Sequence, residues 1–348
     1  MTVAPLKFLL ELPILSECSG AAGAVDNEVT PHMKAECHSK YRYLASLVRP
    51  VIFRWSMLGI IIFADSVWLF WDQWTVEPRS LLPRAMMGIV FCTPLLIKRY
   101  RCDDKLRSLG EAIAFSLIFA TAAEIFSYLV VSTDGRLVDA SLAAADNALS
   151  FDWGSYYLWS TRHLLFSHAV RAAYQSMGLQ ILIVLIYLSF TQRFLKLSEF
   201  LDLSALLLIL TIVVSLFFPA EGASKFYGSR YHADVSGMFH FELLRSGSMK
   251  TIDLGVIQGL ISIPSYHTIM GILLCWSVWG SRLFPFLVVV NSAMLFATPF
   301  VGGHYFVDVA AGALVTLAGI TVRRYVRIKW NVLGDRLTLI RTHASHNT

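Results

Sequence analysis

The sequence predicts an all-α polytopic integral membrane protein, a helical bundle of about eight transmembrane helices with a six-helix catalytic core. Three observations carry that prediction. Of the 348 residues, 56% are hydrophobic and only 15% are charged, and the mean hydropathy of +0.59 lies well above that of a soluble domain of this length. Apolar runs of near-spanning length recur along the chain. Basic residues gather beside those runs instead of forming one stripe, so the net charge of +5 reads as a topology signal and excludes nucleic acid as a partner.

A spanning helix needs about 20 mostly apolar residues, because the hydrocarbon core cannot solvate backbone amides. Eight segments qualify: Trp55 to Trp71, Leu81 to Ile97, Ala112 to Val131, Ala172 to Phe190, Leu203 to Phe218, Ser265 to Gly280, Leu283 to Phe300 and Tyr305 to Val322. The second is the weakest, trimmed by Arg84 and two prolines. With both termini cytoplasmic, 20 of the 29 lysines and arginines fall inside, which satisfies the positive-inside rule. The clusters Lys98-Arg99-Tyr100-Arg101 and Arg323-Arg324 with Arg327 and Lys329 abut span ends on that side. The chain therefore divides into a cytoplasmic tail over 1–50, two extra transmembrane helices over 51–108, a membrane core over 109–322 and a basic cytoplasmic tail over 323–348. The stretch from Lys7 to Ala24 resembles a signal peptide only weakly, since Glu11 and Pro13 interrupt its apolar core. Five cysteines with no CxxC spacing predict neither a disulfide framework nor a zinc site.

Two extracytoplasmic loops are long, Ser132 to Arg171 and Pro219 to Pro264. The first contains Phe151 to Trp159, too aromatic for a solvated linker and too polar to span, and so is expected to lie in the interface beside the site.

Chemistry concentrates at three places on that face. Gly302-Gly303-His304-Tyr305-Phe306-Val307-Asp308 opens the last span, and the four-residue spacing puts His304 and Asp308 on one helical face. Asp308 can then fix one imidazole nitrogen and leave the other as nucleophile or base. Pro264-Ser265-Tyr266-His267 begins the sixth span, where free amides at a helix start favour an anion such as phosphate. Two spans separate His267 from His304, so the chain crosses and returns, and both histidines come to the same face. Lys225, Arg230 and Arg245 lie in the second long loop, on the side where cations would clamp phosphoryl oxygens. Asp65 and Glu124, also within spans, read as interhelical partners or cavity-lining groups.

At these residues the chain resembles the phosphatidic acid phosphatase type 2 superfamily over about Asp146 to Val322. Pro264-Ser265-Tyr266-His267 stands where that family has Pro-Ser-Gly-His, and His304 to Asp308 supplies its His-x-x-x-Asp. The form His304-Tyr305-Phe306-Val307-Asp308 is closer to the branch of the inositol phosphorylceramide synthases. The resemblance implies that His304 attacks phosphorus, Asp308 orients it and His267 protonates the leaving alcohol. Ser265, Lys225, Arg230, Arg245 and Gly303 are then the phosphate-binding set, with no cofactor and no metal. It implies a phospholipid donor, with a lipid alcohol or water as acceptor. Thr298 stands where phosphatases of the superfamily place an arginine, and Lys225 and Arg230 match the first motif only loosely. A transporter or membrane scaffold using His304, Asp308, Asp65 and Glu124 as a proton path is the alternative class. A transporter spreads ionisable groups towards the midplane, whereas this chain gathers them near one face.

Overall fold

A computed structural model describes residues 31–97, 100, 103–233, 235 and 239–345. Residues 1–30 of the expected tail, and Lys98, Arg99 and Arg101 of the first basic cluster, lie outside the described residues. The chain divides into two compact units, Met1–Phe53 and Arg54–Thr348. Of the first, helical backbone is described from Pro31; the side-chain contacts below all belong to the second.

The architecture is α-helical. In chain order the helices are α1 (Pro31–Trp71), α2 (Leu82–Leu96), α3 (Asp104–Val131), α4 (Asp139–Ala148), α5 (Trp153–Arg162), α6 (Leu164–Gln175), α7 (Met177–Phe190) and α8 (Phe194–Phe217). After the short turns α9 (Ala223–Phe226) and α10 (Gly228–Tyr231) come α11 (Phe239–Arg245), α12 (Tyr266–Ser277), α13 (Phe284–Val301) and α14 (Phe306–Ser345). A two-residue parallel bridge pairs β1 (Thr75–Val76) with β2 (Thr251–Ile252), tying the loop after α1 to the loop before α12.

Among the described residues, five helical segments are long and apolar enough to cross a membrane: Val51–Trp71, Asp104–Val131, Phe194–Phe217, Phe284–Val301 and Phe306–Lys329. A sixth span results if α6 and α7, bent by 49° at their junction, count as one. The other two apolar runs read from the sequence fold into shorter helices, 15 residues in α2 and 12 in α12. At 1.5 Å per residue, 12 residues cover only about 18 Å of a hydrocarbon core about 30 Å thick.

The interior forms where α3, α7, α8 and α12 meet, around Phe115, Phe119, Leu188, Phe200, Ile269 and Leu273. Large apolar side chains elsewhere point outward, among them Phe63, Phe70, Leu165, Val289 and Leu314, the pattern of a bundle whose solvent is lipid. Two carboxylates on α8 pin the Arg323 end of α14. Asp202 accepts from Arg54 and Arg323 at 3.1 Å each, and Glu199 accepts from Arg327 at 2.8 Å. This fixes the register of α14 against α8, and hence the height at which its first turn sits.

Candidate active site

The first turn of α14 is bonded before its side chains are considered. Asp146, on α4, accepts from the amides of Phe306 and Val307 at 2.9 and 2.8 Å, satisfying two of the donors that a helix start leaves open. About two turns earlier on the same face of that helix, Asp139 accepts from Tyr305 Oη at 2.9 Å and from the amides of Glu221 and Gly222 at 3.1 and 3.0 Å. Burial raises the pKa of both carboxylates, opposed by these bonds; for Asp146 the nearby Asp308 raises it further. Gly222 is in the left-handed region at φ +95°, and a Cβ there would lie 2.7 Å from the Gly303 carbonyl, so only glycine lets this loop close on the turn. The Gly303 carbonyl also accepts from the Ser224 amide at 3.4 Å.

Asp308 is fully buried, and its Oδ2 accepts from Ser262 Oγ at 2.5 Å and from the Tyr305 amide at 3.0 Å. The same oxygen is 3.4 Å from His304 Nδ1, close enough for charge contact but not aligned as a hydrogen bond. The Asp308 carbonyl accepts from the Ser265 amide at 3.0 Å, which joins the start of α12 directly to the His304–Asp308 turn. Gly312 permits the approach: a Cβ at that position would lie 2.6 Å from the Ser265 carbonyl.

Ser265 is the N-cap of α12, yet its Oγ makes no capping bond. Around it lie other buried polar atoms without partners: Thr268 Oγ1, His304 Nδ1 and Asp308 Oδ1. Buried polar groups are nearly always satisfied, so a cluster of exceptions at one place points to a polar ligand.

His267 and His304 both line a cavity of about 380 Å³, together with Gly302 and Tyr174. Tyr174, from α6, stacks on the His267 ring with centroids 4.0 Å apart and places its hydroxyl 3.1 Å from Nδ1. The aromatic segment expected at the interface forms α5. Trp153 donates to the Pro299 carbonyl at 3.0 Å and stacks between Tyr157 and Tyr227, while Phe151 stacks on Phe306.

The sequence-predicted cations sit differently. Lys225 pairs with Glu221 at 3.0 Å and Glu242 at 2.8 Å. Arg245 donates to the carbonyls of Thr133 and Gly135 and to the Asp134 carboxylate, bracing the loop after α3. Arg230 lies over the Tyr231 ring. His240, in the same loop, holds its Nδ1 2.8 Å from the Tyr128 hydroxyl. Among the described residues, no three His, Cys, Asp or Glu side chains converge to hold a metal ion.

Sequence reasoning missed Asp139, Asp146, Ser262 and Tyr174. The available signal was slight: two acids on one face of a loop helix, and a tyrosine at the edge of a span.

No curated protein and no solved structure matches the chain significantly. The family model of the PAP2 superfamily matches residues 140–322, which span α4 to α14 and contain every residue of the His267–His304–Asp308 arrangement. That match covers more than half of the chain, and the chain belongs to the PAP2 superfamily, a phosphatase-type family of membrane enzymes.

Proposed function

We propose that this protein transfers a phosphorylated headgroup from a phospholipid to a lipid alcohol through a phosphohistidine on His304, as an enzyme resembling the inositol phosphorylceramide synthases. The observation that supports this most is the convergence of His267 and His304 on one cavity inside an apolar bundle, bordered by polar atoms without partners.

In this reading Asp308 holds His304 Nδ1, leaving Nε2 to attack phosphorus. The N–P bond forms and the P–O bond to the leaving alcohol breaks. His267, as the imidazolium, supplies the proton on Nε2 to the departing alkoxide and becomes neutral, while its Nδ1–H donates to the Tyr174 hydroxyl oxygen and fixes the ring. An acceptor hydroxyl then gives its proton back to His267 and attacks phosphorus, releasing His304. Ser265 and the Gly303 backbone border the phosphate. Lys225, next to the Ser224 amide that holds Gly303, contributes charge once phosphate competes with Glu221 and Glu242. Arg230 and Arg245 are the weaker members of this set, Arg245 because three acceptors already hold it. The distribution of basic residues favours a site on the extracytoplasmic face with both termini cytoplasmic, and eight crossings require the short helices α2 and α12 to traverse a locally thinned bilayer.

Water in place of the lipid alcohol makes the same site a lipid phosphate phosphatase. Purified protein in mixed micelles, given phosphatidylinositol with and without a long-chain alcohol, separates the two readings by mass spectrometry of the products. Transfer yields a phosphodiester of the added alcohol; a product independent of that alcohol would leave only hydrolysis. A cysteine introduced near Arg230 should be labelled from the extracytoplasmic side, and labelling only from the cytoplasmic side would reject the topology.

A further inference from the structure

The Arg323 end of α14 carries a second concentration of charge, about 22 Å along the helix from Asp308 at 1.5 Å per residue. Arg54 on α1, Arg193 and Lys196 at the start of α8, and Arg323, Arg324 and Arg327 on α14 gather there. Asp202 holds Arg54 and Arg323, and Glu199 holds Arg327 at 2.8 Å, with Lys196 Nζ 3.9 Å from its other oxygen. Among the described residues, Arg193 and the exposed Arg324 have no ion pair. The guanidinium groups of Arg327, Arg324 and Arg193 all act on the Lys196 ammonium as like charges. The fold builds this crowding, because the pairs that fix α14 against α8 also carry Arg324 to the start of α8. Cations that only oriented the chain would need no such convergence of two helices. Like charges held together at a low-dielectric boundary repel unless an anion joins them. Aromatic rings hold two of the cations: Lys196 Nζ is 4.2 Å from the Trp276 ring centroid, and Arg193 lies over the Tyr187 ring at 5.8 Å. Leu195, beside Lys196, and Trp279, three residues after Trp276, are exposed apolar side chains.

We propose that Arg193, Lys196 and Arg324 bind the headgroup of an anionic phospholipid, at the end of the bundle away from the histidines. The phosphate supplies the charge that Glu199 and Asp202 leave unmatched, and the exposed Leu195 and Trp279 meet the acyl chains. The distribution of basic residues favours the cytoplasmic leaflet for this end, where anionic lipids are abundant. Occupancy of the site needs no turnover at His304, so it stands apart from the transfer reading above.

The test is native mass spectrometry of the full chain in neutral detergent, given equal amounts of phosphatidylglycerol and phosphatidylcholine. These headgroups share the phosphate and differ in net charge. The wild type should retain phosphatidylglycerol with about tenfold preference, as expected when several cations each favour an anionic headgroup. Lys196→Gln combined with Arg324→Gln should bring the two lipids within about twofold of each other. Arg136→Gln combined with Arg162→Gln removes the same charge from exposed positions after α3 and at the end of α5, and should leave the preference unchanged. No preference in the wild type, a preference kept by the first pair of substitutions, or an equal loss in the second pair would overturn the proposal. Glycerophosphoglycerol, the same headgroup without acyl chains, should fail to displace the lipid at about tenfold excess, and displacement would reject a lipid in favour of a soluble phosphate compound. If the first double variant does not fold, Arg193→Gln decides: a preference reduced by about threefold supports the site and an unchanged one rejects it.

Discussion

At the first turn of α14, carboxylates reach backbone amides and a tyrosine hydroxyl; at its Arg323 end, carboxylates reach guanidinium groups on long side chains. The first arrangement sets atom positions, because an amide cannot move without its helix. The second sets register and depth, because an arginine can extend or retract while keeping its charge contact. The mechanism proposed for this turn needs the first kind of hold, since reacting atoms must be placed to within a fraction of an ångström. His304 is thus positioned by bonds to its neighbours' backbones, and its own ring keeps a loose contact with Asp308 that a substrate can tighten.

The comparison predicts different failures at the two ends. Asp202→Ala strands the buried Arg54 and should lower stability by about 3–5 kcal/mol, while the folded fraction keeps its specific activity within about twofold. Thermal unfolding in detergent, read beside activity per folded molecule, would show this; a hundredfold loss of specific activity would erase the distinction between the ends. Asp146→Ala leaves two helix-start amides unpaired and should cost about 2–3 kcal/mol, but with activity per folded molecule falling about a hundredfold as the turn shifts. Asp146→Asn, which keeps one acceptor oxygen, should recover part of both losses. Tyr305→Phe removes one bond to Asp139 and should cost about 1 kcal/mol, with activity reduced less than in Asp146→Ala.

The smallest effect lies away from α14, at the N-cap of α5. Asp152 accepts from the Ser155 hydroxyl and from the amides of Gly154 and Ser155, and its pKa is lowered, first by the Ser155 hydroxyl bond. A carboxylate with a lowered folded-state pKa stabilises above its unfolded value and loses that contribution as pH falls through the folded one. Asp152→Ala should therefore cost about 1 kcal/mol at neutral pH and nothing once Asp152 is protonated. Equal losses at pH 7 and in strong acid would contradict the capping role.

The apolar spans were legible because lipid allows only helices there, and the backbone requirement leaves a plain hydropathy signal. Where those helices stop was not: α12 ends at Ser277 although Val278 and Trp279 continue the apolar run, since hydropathy does not register a turn. His304, Asp308 and His267 were legible from their spacing, and the structure brings the two histidines to one cavity with Asp308 beside His304. The holds of Asp139 and Asp146 were hidden because their partners lie between 82 and 166 residues away and all but Tyr305 Oη are backbone amides, which leave no side-chain pattern in the sequence. Lys225 looked like a free cation, although Glu221 stands four residues before it and was the available hint of its pairing.

In the proposed mechanism the two histidines do unequal work, His304 bonding to phosphorus and His267 moving a proton. A donor whose leaving group needs no proton separates them. With a nitrophenyl ester of the phosphorylated headgroup, His267→Ala should recover much of the rate it loses on the phospholipid, His304→Ala should stay inactive, and Asp308→Asn should fall between them. Substantial turnover by His304→Ala on the activated donor, with His267→Ala alone inactive, would exchange the two assignments and contradict the account.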